Sequence, residues 1–345
     1  MKKQLLAVVT ASVIISGVGT AFAAEDASQE IQIDGSFSVH YRDQRDTYSS
    51  SDLTRTAWKT TFTLDVDVPL AKNLDAYTSF GYQNINTNAS GGFSADYLNS
   101  TANNNAAISA LGLKYKNGGY SYVVGSQSMS LGGGLAYANY YIGRHDLPYA
   151  LNVSKKVGAT DFNLIVAKTN YQNGIDNDKF YAVQGSYAIS PDSNIGAMFA
   201  HAAYGKDTVS SYALQASSTN FYSVYGSHKL SDVLNISGEC LKDSAQTDNQ
   251  AFQTNLSYKV DEKNTLAAGY YYVEDQASIV DYNGYGMTTA PNNNTKGYIV
   301  SWKHNFDKNL SLKIGDYNYK KINESSYIGA GSDRNRFFAT AAVNF

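Results

Sequence analysis

Apolar and polar residues alternate with a period of two through most of this chain. In "WKTTFTLDVDV" (58–68) a large or apolar residue occupies nearly every even position, while Lys59, Thr61, Thr63, Asp65 and Asp67 fall between. Successive side chains of a strand project to opposite sides of the pleat, so the segment reads as a strand with one apolar and one polar face. Sixteen such segments recur, at 31–45, 55–68, 74–86, 106–116, 120–127, 149–156, 161–169, 179–189, 195–204, 219–230, 233–242, 251–260, 265–274, 295–306, 310–320 and 333–345. Short turns such as "PLAKN" (69–73), "KNGG" (116–119), "SPDSN" (190–194) and "DEKN" (261–264) alternate with longer links, among them 46–54, 87–105, 127–148 and 275–294. Gly, Asn, Asp and Ser supply the backbone angles and local hydrogen bonds of tight reversals.

An even number of strands with short turns on one rim and long loops on the other predicts an all-β, antiparallel up-and-down barrel of about 16 strands that crosses a membrane. Phase follows strand by strand. Phe37, Val39 and Tyr41, then Trp58, Phe62 and Leu64, and later Tyr298, Val300 and Trp302 fall on the outward side, with Ser, Thr, Asn, Gln, Gly, Lys and Asp between. The segment "IGAMFAHAAY" (195–204) barely alternates, and His304 and Asp316 fall in the outward phase, so a one-residue slip that exchanges the faces stays open there. The hairpins at 179–200 and 220–241 align without gaps, which fits either duplication or shared hairpin constraints.

Composition narrows the picture. Residues 1–23 carry Lys2 and Lys3, an apolar run from Leu5 to Val18, and Ala21-Phe22-Ala23, the pattern of a cleaved export signal, which leaves a single domain over 24–345. Removing the two lysines changes the formal charge from −3 to −5, which predicts no nucleic-acid partner. The one cysteine, Cys240, has no partner for an intramolecular disulfide. The 29 tyrosines suit a membrane interface, where the ring is apolar and the hydroxyl wet. His40, His145, His201, His228 and His304 show no metal-ligand spacing and no nucleophile beside them, so no enzyme, metal or cofactor is expected. A phosphate-loop reading of Gly132, Gly133 and Gly134 fails because no Lys-Ser/Thr follows.

The closing residues, "RFFATAAVNF", form an amphipathic last strand ending on the aromatic Phe345. In this, and in the sixteen-strand plan of the whole mature chain, the protein resembles the Gram-negative general porins of the bacterial outer membrane. The resemblance implies trimeric, 16-stranded channels for passive diffusion of ions and small hydrophilic solutes, with Phe345 read by the barrel-insertion machinery. It also implies that the third loop, about 127–148, folds into the lumen and narrows it. That loop carries Gly132, Gly133, Gly134, Tyr137, Tyr140, Tyr141, Arg144, His145 and Asp146. Family members often place several acids there, and this loop has only Asp146, so a strong transverse field is not expected. On the assigned phases Arg42, Arg55, Lys59, Arg334 and Arg336 form one basic strip on the lumen wall, with Asp65 and Asp67 lower, toward the periplasmic mouth. Lining charges bias which ions enter a water-filled pore. Tyr137, Tyr140 and Tyr141 keep a sugar-selective channel open as the alternative, and a structural or adhesin barrel is a third. Small outward residues Ala76, Ala339 and Ala341 near the seam are consistent with a trimer.

Overall fold

A computed structural model describes residues 30–48, 51–86, 104–139, 147–169, 178–279, 293–324 and 332–345. The strands are β1 (Gln32–Thr47), β2 (Asp52–Ala71), β3 (Leu74–Asn86), β4 (Asn104–Asn117), β5 (Tyr120–Ser126), β6 (Met129–Leu131), β7 (Tyr137–Asn139), β8 (Tyr149–Val157), β9 (Thr160–Lys168), β10 (Lys179–Ser190), β11 (Ser193–Ala203), β12 (Ser218–Lys229), β13 (Leu234–Asp243), β14 (Gln250–Lys259), β15 (Asn264–Val273), β16 (Thr295–Asn305), β17 (Leu310–Lys321) and β18 (Asp333–Asn344). All but β6 and β7 join in one closed antiparallel barrel, each strand beside its sequence neighbour and β18 beside β1. Sixteen strands therefore enclose a lumen with no free sheet edge. The helix α1 (Lys206–Ser211) lies in the β11–β12 link.

The register answers the two positions left open. Ile195, Phe199 and His201 share the outward face of β11, and Met198, Ala200 and Ala202 face inward and are buried. Both faces of β11 are apolar because its inner side packs against a loop, and this is why the sequence loses its alternation there. His304 and Asp316 do point outward, on the same faces as Trp302 and Ile314. Outward apolar side chains are exposed around the wall, including Trp58, Leu111, Phe162, Val183, Val224, Leu256, Tyr298 and Phe337. A soluble protein would bury such a belt; here hydrocarbon is the solvent it suits.

The first link is shorter than its polar sequence suggests. The β1–β2 ladder runs up to Thr47 opposite Asp52, and Tyr48 N–H donates to Ser51 O at 2.8 Å. Above the apolar belt both faces of these strands are polar apart from Leu53, so main-chain pairing continues after hydrophobic alternation has ended. At the opposite rim the chain end closes the seam. Phe345 exchanges two backbone hydrogen bonds with Gly35, at 2.9 and 3.0 Å, and its ring lies where a Cβ of residue 35 would stand, 2.4 Å away. The Phe345 ring sits 6.2 Å from that of Phe62. The terminal aromatic thus packs over the one position of β1 that has no side chain.

Two short turns rest on carboxylates. Asp261 accepts from the Asn264 side chain and from the backbone N–H groups of Lys263 and Asn264, and Asp307 accepts from the N–H groups of Asn309 and Leu310. These bonds hold both carboxyls below their ordinary range, Asp261 through Asn264 first and Asp307 through Asn309 first. A depressed folded pKa contributes stability above the unfolded value of about 4 that is lost as pH falls through the folded value. Asp261→Ala and Asp307→Ala are therefore expected to lower the melting temperature slightly at pH about 7 and to converge on the wild type at pH about 2, as followed by circular dichroism.

Candidate functional site: the constricted lumen

The β5–β8 link leaves the wall through a fixed exit. Gln127 N–H donates to Pro148 O at 3.1 Å and its side-chain amide to Ala150 O at 3.1 Å, so one residue ties both ends of the loop together. The loop then reaches strands far from its own in the barrel order. Gly132 N–H donates to Gln184 Oε1 on β10 at 2.8 Å, Leu135 N–H to Glu239 Oε2 on β13 at 3.0 Å, and Gln253 Nε2 on β14 donates to Gly133 O at 3.0 Å. Residues of β10, β13 and β14 can meet β5–β8 only across the interior, so the described stretch of the loop, 127–139, lies inside the barrel. The short strands β6 and β7 pair within it.

Glycines 132–134 are what this seat requires. Gly132 has φ +60°, and a Cβ there would lie 2.3 Å from Glu239 Oε1 and 2.6 Å from Ser223 Oγ; one on Gly133 would lie 2.8 Å from Glu239 Oε2. The rest of the seat is apolar. Leu131, Leu135, Ala136 and Tyr137 are fully buried against Phe180, Met198, Ala200, Phe221, Leu241, Ala251 and Val273 of the β10–β15 wall. The Tyr137 ring packs 4.9 Å from that of Phe180. Tyr137 therefore fastens the loop and presents no face to a passing solute. Two other links reinforce the seat. Ile279 N–H donates to Ala136 O at 2.9 Å, and Val209, Tyr212 and Leu214 around α1 pack on the same cluster. Asp178 positions α1, accepting from Gly205 N–H at 2.7 Å and Thr208 Oγ1 at 2.8 Å. Tyr140, Tyr141, Arg144, His145 and Asp146 lie outside the described residues, as does segment 1–23.

On the remaining wall, Arg42, Arg55, Lys59, Arg334 and Arg336 share the inner face of β18, β1 and β2 in adjacent register: Arg42 opposite Phe338, Gln44 opposite Arg336 and Arg55, and Asp46 opposite Arg334. Two features are absent from the sequence reading. Asp46, fully buried, lies within the strip, paired with Arg334 at 2.5 Å and Arg55 at 3.2 Å. Gln44 links the next rung, accepting from Arg336 Nε at 2.7 Å and donating to Asp46 at 2.6 Å. Beside them stand Tyr271, Tyr317 and Tyr319, with the Arg334 and Arg336 guanidiniums 5.3 and 5.8 Å from the Tyr319 and Tyr317 ring centres. Arg42 and Arg336 are 3% and 2% exposed, so the strip is a packed, hydrogen-bonded wall and not a row of free-standing cations. Among these six charges the cations outnumber the single carboxylate, and the wall stays positive.

Asp65 and Asp67 also face inward, nearer the short-turn rim. Asp65 accepts from Ser79 Oγ, and Asp67 pairs with Lys114 at 2.7 Å, so the lower acidic pair is partly neutralised. Inward residues below the loop, such as Thr61, Thr63, Asn152, Ser154, Asn163, Ser237, Asn255 and Lys303, are polar and retain solvent exposure. The lower lumen is thus lined by polar side chains and narrowed above by the described part of the loop on one side and a cationic, tyrosine-backed wall on the other.

No family model matches the chain and no curated protein matches it. Solved porin structures do. An engineered variant of the porin of Rh. blastica has a TM-score of 0.56 at 10% identity and covers 92% of this chain and 100% of that one. A structure described as "Asymmetric conductivity of engineered proteins" matches with the same TM-score, identity and coverage. A triple mutant of the Rhodopseudomonas blastica porin follows at 0.54 and 9%, with the same coverage. At such identity the likeness is one of fold: this chain has the porin fold.

Proposed function

We propose that the protein is an outer-membrane porin, a channel for passive diffusion of ions and small hydrophilic solutes. One observation carries this: a closed barrel exposes apolar side chains outward and solvent-exposed polar ones inward, the reverse of a soluble fold. A lumen of about sixteen strands is wide enough for water, and an irregular loop inside a membrane barrel is tolerable only where water or protein meets it. Diffusion needs no nucleophile, metal or cofactor. The partners that follow are outer-membrane lipid, the insertion machinery that would read Phe345, and the solutes. The pore-lining roles belong to Arg42, Arg55, Lys59, Arg334 and Arg336, and the constriction to 127–148.

The sugar-selective alternative loses support from the burial of Tyr137. Liposomes carrying the purified chain should swell at rates that fall smoothly with solute size across neutral sugars, without saturation. A saturable rate for one sugar would favour the selective channel, and no swelling would remove the channel reading.

A homotrimer is the assembly the outer surface suits. Asp316 stands midway along β17, pointing outward between Val300 and Phe337, with the small Ala339 and Ala341 on the neighbouring strand. An ionisable group on the lipid face is costly at mid-depth, so this face is better covered by protein. In detergent the wild type should sediment as a trimer and Asp316→Arg as smaller species; a monomeric wild type would remove the assembly from the account.

A further inference from the structure

One rung below the arginines, a second group of cations crosses the inner wall. Lys303 of β16 lies directly opposite Lys313 of β17, Lys313 opposite Thr340 of β18, Thr340 opposite His40 of β1, and His40 opposite Lys59 of β2. All five face inward, since Trp302, Ile314, Ala339, Tyr41 and Trp58 beside them face outward. His40 Nδ1 lies 2.6 Å from Thr340 Oγ1, and the His40 ring stacks on Phe338, which also carries the Lys313 ammonium 5.9 Å from its centre. The hydroxyl and ring are therefore held in place between the lysines.

The Lys303 and Lys313 pair is the informative part. Like charges directly across a ladder repel. Three other inward cations have carboxylate partners: Arg334 and Arg55 share Asp46, and Lys114 pairs with Asp67. Among the described residues no ion pair involves Lys303 or Lys313. Lys303 is exposed to the vestibule and Lys313 is half-buried beside it. Two adjacent ammonium groups with a hydroxyl in line offer several donors to one compact multivalent acceptor. An anion bridging them would relieve the repulsion that the sheet otherwise bears.

We infer that the Lys303, Lys313 and Thr340 rung, flanked by His40 and Lys59, is a binding station for small multivalent oxyanions of the phosphate type, on the short-turn side of the constriction. This rests on the channel reading and deepens it by naming a solute class. Anions drawn through the positive constriction would pause there, while neutral solutes would pass unaffected. Binding at a site in the conduction path that is strong enough to hold an ion delays the ions behind it.

The test uses the purified full chain in a planar bilayer with chloride as the current carrier and inorganic phosphate added to one side. Phosphate should reduce the chloride current saturably. In a Lys303→Gln, Lys313→Gln double variant the half-blocking concentration should rise by about tenfold or more, because two charge-assisted contacts are lost. Lys263→Gln, in an exposed turn, should leave the block as in the wild type. Block that is linear in phosphate, or equal in the double variant, would overturn the proposal. Single Lys303→Gln, checked for heat-modifiable gel migration, gives the same decision should the double variant fail to fold. If the wild type carries no chloride current, the channel reading fails by itself. Equilibrium dialysis of inorganic phosphate against detergent-folded protein then decides the station: retention lost in Lys303→Gln supports it, and no retention overturns it.

Discussion

Gly132→Val is expected to unseat the constriction loop and enlarge the single-channel current, with noisier open levels and a lower melting temperature. The side chain would meet Glu239 Oε1 and Ser223 Oγ well inside contact distance, at a backbone φ of +60°. A β-branched residue in that region costs roughly 1–2 kcal/mol before any overlap is counted. Shifting the loop also breaks the Gly132 to Gln184 and Leu135 to Glu239 hydrogen bonds. A neutral bond contributes about 1 kcal/mol and one to an acidic side chain about 2 kcal/mol, and a buried acid left with fewer donors adds to the loss. The total is on the order of 5 kcal/mol, more than the loop recovers by settling nearby. Unchanged conductance together with an unchanged melting temperature would mean that the glycines are not seated against Glu239.

The second large effect concerns selectivity. The cationic wall should favour anions, and an Arg42→Ala, Arg334→Ala, Arg336→Ala variant should lose that preference. Five cations less the Asp46 carboxylate leave four positive charges, and removing three arginines leaves one. A unit charge about 8 Å from a passing ion in water contributes about 0.5 kcal/mol, so three together shift the permeability ratio by about tenfold. Because Arg334 pairs with the buried Asp46, truncating it leaves that carboxylate only Arg55 and Gln44 as partners and lowers the stability of the fold. Adding Asp46→Asn to the variant removes that penalty and should restore its folding yield without restoring anion preference. Reversal potentials in a salt gradient check both statements, and equal values in wild type and variant would take the wall out of the selectivity mechanism.

Much of the barrel was legible because closure with an apolar outside and a polar inside imposes one rule on every strand. Trp58, Phe62, Leu64 and their counterparts face outward, and the residues between them face inward, so period-two alternation marks both strand and phase. The rule lapses wherever a second apolar surface appears. Met198, Ala200 and Ala202 are apolar because they receive the loop, and the alternation of 195–204 vanished for that reason. It lapses again above the apolar belt, where β1 and β2 continue with almost wholly polar residues on both faces. The sequence reading therefore ended β1 at residue 45 and overlooked Asp46, although its even number places it with Arg42 and Gln44. Lys303, Lys313 and Glu239 carry the inward parity of their strands and could have been found by it. What parity does not carry is which distant strands meet, and Glu239 gains its role only from a loop that begins some hundred residues earlier. Gly132, Gly133 and Gly134 stood out as a site of sharp bending, and the contacts of the seat give the physical reason for them. The tyrosines of the loop, considered for stacking on sugars, divide: Tyr137 is packing, and Tyr140 and Tyr141 lie outside the described residues.

The account depends most on a continuous water path through the barrel beside the loop. Single-channel recording of the purified wild type in a planar bilayer tests that directly. Discrete current steps, linear in voltage and proportional to salt concentration, are the predicted result. Membranes that stay silent after insertion of protein with intact heat-modifiable gel migration would contradict it.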